Sequence, residues 1–413
     1  MTSTDALWRD RDFTRLWAAQ AVSAFGTRIT REGLPIMAVV TLGASAATLG
    51  ALAATASAAA VFAGLAGGGY VDRLRRRPLL IATDLIRAAV LIAIPLAALF
   101  GVLTLAQILA AAAVVAAASV IFDIASHAYL PGLIGRAALT DGNSKLASTE
   151  AVAEVGGPAL AGMLFQWLTA PIAVAVNAAT YLASASLLAL IRAPEPVPAP
   201  QPPAPWLTEI TQGFRLAWAE SRVRALMLMG IAQGLFGGVF AALYVLFALR
   251  TLDLPTSILG MAIAAGGVGA LAGAWLGPWL GRRLGVGPAI LLAILGAGLS
   301  AMCIPLAPAD RLGASIVMIA TQVTGDAFAV SAGVLTATLR QTLMPQQVLG
   351  RVAGAFHASA GGVAILGALG GGALGGLIGP RLALFVAAVG FLSIPLIGAL
   401  SPLRQVREMP RGD

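Results

Sequence analysis

The sequence predicts an all-α membrane protein in which twelve membrane-spanning helices form two six-helix halves. Its composition is the first reason: 59% of the 413 residues are hydrophobic and only 11% are charged. Soluble globular proteins average about 25% charged residues. The second reason is a series of long apolar segments, and the third is the collection of basic residues in every second loop between those segments.

The apolar segments are long enough to cross a bilayer. A spanning helix needs about 20 predominantly apolar residues. Twelve segments meet this length, at about residues 16–41, 47–70, 79–100, 103–126, 146–168, 172–191, 223–249, 256–280, 286–307, 312–335, 354–377 and 381–400.

The loops between these segments alternate in charge. One set is rich in basic residues: Arg73, Arg75, Arg76, Arg77, Arg136, Lys145, Arg192, Arg215, Arg222, Arg224, Arg282, Arg283, Arg340 and Arg351. The other set contains only Arg250, Arg311 and Arg381. Because short basic loops stay on the cytoplasmic side, this pattern predicts that both termini are cytoplasmic. The net charge of +8 therefore indicates membrane orientation and not nucleic-acid binding.

A polar linker divides the chain. It begins with the proline-rich tract APEPVPAPQPPAP and continues into an amphipathic segment from Trp206 to Ala219, which we expect to lie on the membrane surface. The predicted organisation is an N-terminal bundle at 1–192, a linker at 193–221 and a C-terminal bundle at 222–413.

The first span contains charged residues near its middle. Arg28, Arg31 and Glu32 share one helical face at spacings of three and four residues. One charge at mid-membrane costs about 2.5–3.5 kcal/mol on insertion scales, so this face should look into protein or water. One interpretation is a site for substrate or coupling ion, and the other is an ion pair that fixes helix 1 to its neighbours.

Further acids lie within or at the ends of spans. Asp123 is predicted to lie near the cytoplasmic end of helix 4, and Asp326 is predicted to lie well inside helix 10. Asp84, Glu150 and Glu154 lie nearer the helix ends, where capping and pairing between helices are the favoured interpretation. A buried carboxylate beside an arginine can bind a proton in one state and release it in another, as proton coupling requires.

The two halves resemble each other at an offset of about 209 residues. Gly68 corresponds to Gly277, and Arg73 corresponds to Arg282. The glycine-rich GGPALAG at 156–162 is matched by GALGGG near an offset of 210. Duplicated halves with a site at their interface are the design of many secondary transporters.

Two motifs carry a resemblance to a known family. GGYVDRLRRRP at 68–78 resembles the loop 2–3 signature of the major facilitator superfamily, with Arg75 in place of its usual glycine. GGPALAG resembles the helix 5 signature of drug–proton antiporters, with Ala161 in place of one glycine. FDIASHAYLPGLI, GNSKLAS and RQTLMPQQVLGRV are similar to the drug and siderophore exporter branch, which includes macrolide efflux and enterobactin export proteins.

The resemblance implies roles for particular residues. The loop 2–3 cluster would latch one conformational state, although its arginines could also act only as an orientation signal; it consists of Gly68, Asp72, Arg73, Arg76 and Arg77. The helix 5 motif would let that helix rock, or serve ordinary close packing; it consists of Gly156, Gly157, Pro158 and Gly162. Helices 1, 4, 7 and 10 line the cavity in this superfamily, so substrate or proton coupling would fall to Arg28, Arg31, Glu32, Asp123 and Asp326.

The predicted function is export of a small amphipathic organic compound by alternating access, driven by inward proton flow across a bacterial inner membrane. An importer or a lysolipid flippase of the same fold, and sodium in place of protons, remain open. The chain has a single cysteine and two histidines, so no metal site is expected. It lacks a nucleotide-binding loop and a nucleophile with a plausible base, so neither an enzyme nor a cofactor is expected. We expect a monomer in the bilayer, with no nucleic-acid partner.

Overall fold

A computed structural model describes residues 4–71, 73–135, 138–195, 206–345 and 348–408. The described chain folds into helices joined by short loops. The helices are α1 Thr4–Arg9, α2 Arg11–Leu42, α3 Ala46–Val71, α4 Arg76–Leu99, α5 Leu105–Ile134, α6 Leu139–Trp167, α7 Ala170–Ala189, α8 Trp206–Ala219, α9 Ser221–Leu246, α10 Thr256–Leu284, α11 Val286–Cys303, α12 Arg311–Leu343, α13 Leu349–Ile378 and α14 Pro380–Ala399. A π-helical turn, Phe247–Thr251, continues α9.

The chain forms two compact units. The first contains Met1–Gly43 and Ala58–Ala204, and the second contains Ala44–Ser57 and Pro205–Asp413. Helix α3 thus contributes its first part to the second unit and the rest to the first. The bundle and linker limits expected from the sequence stay a prediction.

The two units repeat one helix arrangement. Helix α5 ends at Ile134 and α12 at Leu343, which is the expected offset of 209. Within the first unit, α2 packs on α6 and α7, and α4 packs on α5 and α7. Within the second unit, α9 packs on α13 and α14, and α11 packs on α12 and α14. The prediction of two pseudo-symmetric six-helix bundles is confirmed.

Ten helices of the described chain are long and apolar enough to cross a membrane. The two other long helices are α2 and α6, of 32 and 29 residues. Both carry several charged side chains within their length, which lowers their hydropathy. The protein is therefore a multi-pass membrane protein whose least apolar long helices both belong to the first unit.

Local signals in the sequence set several helix ends. The Asp10 carboxylate accepts the backbone N–H groups of Asp12 and Phe13 at the start of α2. Thr104 and Gln107 form a reciprocal capping box at the start of α5. Helix α2 ends at Leu42 and is capped by Gly43, which has a φ of 63°, a conformation that costs glycine least.

Glycines bring the helices of the second unit into backbone contact. A Cβ at Gly269 or Gly273 of α10 would overlap a carbonyl oxygen of α12. The Ser331 hydroxyl of α12 donates to the Gly273 carbonyl at 2.9 Å. Helices α9 and α13 approach similarly, because a Cβ at Gly238 would overlap the Ala364 carbonyl. Close backbone approach increases van der Waals contact between helices in lipid, where no hydrophobic force drives their association.

The linker contains the helix expected at its end. Helix α8 packs on α13, where a Cβ at Gly213 would overlap the Arg351 carbonyl. Ala217 is fully buried, whereas Phe214 and Trp218 stack on each other and are partly exposed. Residues 196–205 of the proline-rich tract lie outside the described residues.

Candidate functional site

Helices α2 and α6 place charged side chains opposite each other. Glu154 of α6 forms an ion pair with Arg28 of α2 and lies 3.4 Å from the Arg31 guanidinium. The Arg31 Nε donates to Glu32 at 2.8 Å. Glu150 lies 3.6 Å from Arg28. The five side chains form one network within the first unit, in which Arg28 and Arg31 have partners on α6 and Glu32 pairs with Arg31 on α2 itself.

The network has more negative than positive charges, with three glutamates against two arginines. Glu154 contacts both arginines. The Glu150 side chain is 67% exposed and contacts only Arg28, at the longest distance of the group. Glu150 is therefore the member of the network that is least neutralised.

The helix 5 motif, which is the glycine-rich motif of the fifth span, lies in α6 against this network. Gly157 is buried, and a Cβ there would overlap the Cβ of Arg28. Helix α6 continues through Pro158 without a break, and Pro158 and Gly162 are buried as well. Gly156 is half-buried beside α2. The glycines allow the close approach that brings Arg28 within reach of the two glutamates of α6.

A cavity of about 350 Å³ opens beside the network within the first unit. Its ionisable lining residues are Arg28, Asp123, His127 and Glu150. Its polar lining residues come from α2, α5 and α6: Gln20, Ser23, Thr27, Ser126, Asn143 and Thr149. Asp123 is exposed in it, and no described residue lies within hydrogen-bond or ion-pair distance of its carboxylate. The cavity therefore presents two carboxylates that arginine does not fully neutralise.

A buried ion pair lies behind the cavity wall. Asp84 and Arg87 of α4 pair with each other and are 0% and 1% exposed. Arg87 also donates to Ser23 and Ser119, both at 3.2 Å. Its guanidinium lies 4.5 Å from the Phe122 ring centre, and Ser23 and Phe122 also line the cavity. The pair is thus connected to the cavity by shared side chains.

The Tyr181 ring of α7 covers Arg87 from another helix, at 4.4 Å from its centre. The sequence favours capping or pairing between helices for Asp84 and places Arg87 on the same helix face, but it gives Arg87 no contact with the cavity wall. The available signal was their spacing of three residues on one helix face. Four helices surround the guanidinium, and the sequence alone does not show which helices meet.

Asp326 belongs to the second unit. It lies on α12, where its carboxylate occupies the space that a side chain at Gly266 of α10 would need. It therefore packs into the glycine-rich contact of α10 with α12. Arg28, Glu150 and Asp123 line one cavity in the first unit. Arg31 and Glu32 join the ion-pair network but do not line that cavity, and Asp326 packs against a glycine of the second unit.

Two arginines of the loop 2–3 cluster, Arg76 and Arg77, form hydrogen bonds within the first unit. The Glu195 carboxylate accepts the backbone N–H groups of Arg76 and Arg77 at the start of α4. The Arg77 guanidinium donates to the carbonyls of Leu188 at 3.0 Å and Ala189 at 2.6 Å, at the end of α7. Arg73 is exposed. Asp72 and the surroundings of Gly68 lie outside the described residues.

Asp12 of α2 binds the chain that follows α7, at the same end of the unit as the Arg77 contacts. It accepts hydrogen bonds from the backbone of Arg192 and Ala193 and from the Arg15 side chain. Arg15 also donates to the Leu190 carbonyl at 2.7 Å. Partial burial raises the pKa of Asp12, but these hydrogen bonds outweigh it, so its pKa is lower than usual. The chain that leaves α7 is thus held by both α2 and α4.

Among the described residues, no group of three or more His, Cys, Asp and Glu side chains is arranged to hold a metal ion.

Two repeated six-helix bundles with ionised side chains around a cavity define a transporter of the major facilitator fold. Solved structures share this fold. The nucleoside transporter NupG has a TM-score of 0.76 and 13% identity, covering 95% of this chain and 98% of its own. A bacterial homologue of the iron transporter ferroportin, in an inward-facing state, has a TM-score of 0.72 and 15% identity, covering 94% and 98%.

The sequence comparisons identify the family. The profile of the transmembrane secretion effector family matches residues 2–411, so the chain belongs to that family of transporters and is not an enzyme. The enterobactin exporter EntS of Escherichia coli O1:K1 is 29% identical over 354 residues, covering 85% of this chain and 83% of its own. EntS of Citrobacter koseri is 28% identical over 359 residues, covering 85% and 84%.

Proposed function

We propose that this transporter exports a small amphipathic organic compound by alternating access and that inward proton flow drives it. The observation that carries the proposal is the first-unit cavity, where Asp123 and Glu150 are incompletely neutralised beside the Arg28–Glu154 pair. The names of the relatives support export of an organic molecule.

The proton step follows from the charge balance of the network. When Arg28 is held by Glu154, the Glu150 and Asp123 carboxylates line the cavity without a full counter-charge, and they carry the coupling proton in this proposal. A movement of α6 along α2 that brings Arg28 closer to Glu150 would favour release of that proton. Glu32 stays paired with Arg31 during this exchange. Asp326 is a further candidate for coupling.

The two family motifs support the movement. Gly156, Gly157, Pro158 and Gly162 give α6 a surface without bulky side chains, so α2 and α6 can shift while in contact. The loop 2–3 cluster of Gly68, Asp72, Arg73, Arg76 and Arg77 serves as the conformational latch in this proposal. The protein resides in a bacterial inner membrane with both termini in the cytoplasm, as the basic loops indicate.

Transport into inside-out membrane vesicles tests the proposal. Enterobactin and ethidium serve as organic probes, and a proton gradient that is acidic inside drives uptake. We expect uptake of at least one probe in the wild type. We expect a loss of about 10²-fold in Asp123→Asn and in Glu150→Gln, because removal of a proton-transferring group costs about 10²–10⁴-fold where that step limits the rate. Asp253→Asn is the matched control, since that acid is exposed and pairs with Arg311.

Each contrary outcome would contradict a different part of the proposal. Undiminished and pH-independent uptake in both variants would refute proton coupling by these residues. Uptake driven by a sodium gradient alone would show that sodium, and not the proton, is the coupling ion. Accumulation only in right-side-out vesicles would reverse the direction to import, and movement of lysophospholipid instead of either probe would make the protein a flippase.

A further inference from the structure

A second pocket lies at one end of the second unit. It has a volume of about 400 Å³ and is formed by the ends of α10 and α12, the start of α11 and the segment 401–408. Its apolar lining residues are Pro278, Val286, Val334 and Leu335. Its polar lining residues are Arg282, Thr338, Arg407 and Glu408. The pocket thus combines an apolar wall with a rim of two arginines and one glutamate.

Tryptophans mark the depth of this pocket in the membrane. Trp275 and Trp279 of α10 are 70% and 38% exposed, and Arg283 lies over the Trp279 ring at 6.0 Å. Exposed tryptophans and arginines at the end of a spanning helix lie at the level of the lipid headgroups. Pro278 and Arg282 are neighbours of these residues in the same turns of α10, so the pocket opens at the membrane–water boundary.

Two replacements between the repeated halves distinguish this place in the second unit from its counterpart in the first. At the offset of 209, Thr338 replaces Tyr129 and Val286 replaces Arg77. In the first unit the Tyr129 side chain is buried, and the Arg77 guanidinium binds the end of α7. The shorter Thr338 and Val286 leave apolar space at the corresponding place in the second unit.

The segment 401–408 is held in place at the pocket. The backbone N–H of Gly287 donates to the Val406 carbonyl at 2.8 Å, and Leu403 is fully buried. The Arg407 guanidinium donates to the Leu284 carbonyl at 3.2 Å, which keeps it at the rim. Arg282 is exposed, and no described residue forms a hydrogen bond or ion pair with it. The rim therefore offers a fixed cation and a second cation that is ready for a ligand.

We propose that this pocket binds an anionic phospholipid, with its phosphate between Arg282 and Arg407 and the start of an acyl chain against Val286, Val334 and Leu335. Basic pockets between spanning helices bind anionic headgroups in this way. Charge complementarity and the headgroup depth select a lipid of the surrounding leaflet as the occupant. The site is independent of the first-unit cavity and of the proposed transport activity.

Native mass spectrometry of the purified full-length protein tests this site, with dioleoylphosphatidylglycerol and dioleoylphosphatidylcholine as probes. We expect phosphatidylglycerol to bind about tenfold more tightly than phosphatidylcholine. Arg282→Gln and Arg407→Gln should each weaken phosphatidylglycerol binding about fivefold, because one basic residue near an anionic surface contributes about 1 kcal/mol. Arg283→Gln and Arg404→Gln are matched controls from the same two segments and should keep the binding.

Thr338→Tyr separates the pocket from general surface charge. It restores the residue of the first unit, fills the apolar space and keeps every arginine, so it should abolish binding of the acyl chain and with it the preference for phosphatidylglycerol. Thermal melting shows whether each variant is folded, and Arg282→Lys supplies a charged replacement if Arg282→Gln is not. Equal binding of the two lipids, equal losses in the controls, unchanged binding in Thr338→Tyr, or displacement by millimolar inorganic phosphate would each overturn the proposal.

Discussion

The two units share a helix arrangement but differ in what fills the space between equivalent helices. In the first unit Arg87 reaches Ser119 on the neighbouring helix. At the offset of 209 these positions are Gly296 and Phe328. A Cβ at Gly296 would lie 2.6 Å from the Phe328 ring, so the ring occupies the space that the arginine occupies in the other unit.

The same contrast extends to the other helix contacts. The first unit joins α2 and α6 with ion pairs between Arg28, Arg31 and the glutamates of α6. The second unit joins α9 to α13 and α10 to α12 through glycines that face carbonyl groups. Ion pairs can exchange partners at modest cost, whereas backbone packing is lost when helices separate. This difference is why we place the proton chemistry in the first unit.

The largest effect is expected for the buried ion pair of the first unit. Arg87→Leu leaves Asp84 buried without its counter-ion, and removing one partner of a buried pair costs about 3–5 kcal/mol. Thermal unfolding in detergent should therefore begin at a clearly lower temperature. The double variant Asp84→Leu/Arg87→Leu should recover most of the loss, since no uncompensated charge stays buried. Wild-type melting of Arg87→Leu would show that the pair does not hold the unit together.

An intermediate effect is expected for the glycine contacts of the second unit. Gly273→Ala places a Cβ against the Ala327 carbonyl, so α10 and α12 must separate, at a cost of about 1–3 kcal/mol. Gly333→Ala on α12 is the matched control, because a Cβ there meets no atom within 4 Å. Melting curves of the two variants should diverge. If both melt alike, close packing is not what holds this unit.

The smallest effect is expected at the loop end of the first unit. Asp12→Asn removes charge-assisted hydrogen bonds to Arg15 and the backbone of Arg192, at a cost of about 1–2 kcal/mol. Because the folded pKa of Asp12 is lowered, its contribution is present above the unfolded pKa of about 3.9 and is lost as the pH falls through the folded value. The melting temperatures of wild type and Asp12→Asn should therefore differ at pH 7 and converge below about pH 4. A constant difference across that range would show that the carboxylate charge does not matter.

Several features could be predicted from the sequence because they depend on local order. Helix periodicity places Arg28, Arg31 and Glu32 on one face, and insertion energetics require that face to avoid lipid. The offset of 209 is a property of the sequence, and the helix ends at Ile134 and Leu343 reproduce it. The capping residues Asp10 and Thr104 act within one turn of their helices.

Other features depend on which helices meet. Only the folded chain shows that Glu154 and not Glu32 is the partner of Arg28, or that Phe122 and Tyr181 enclose Arg87. The anionic-lipid pocket likewise joins residues of α10, α12 and the segment 401–408.

By itself, the sequence determined the helices, their duplication and the presence of charge within the first span, because each follows from composition and spacing along one chain. The tertiary structure decided which charges are neutralised and where cavities open, because those depend on distances between helices that are far apart in sequence.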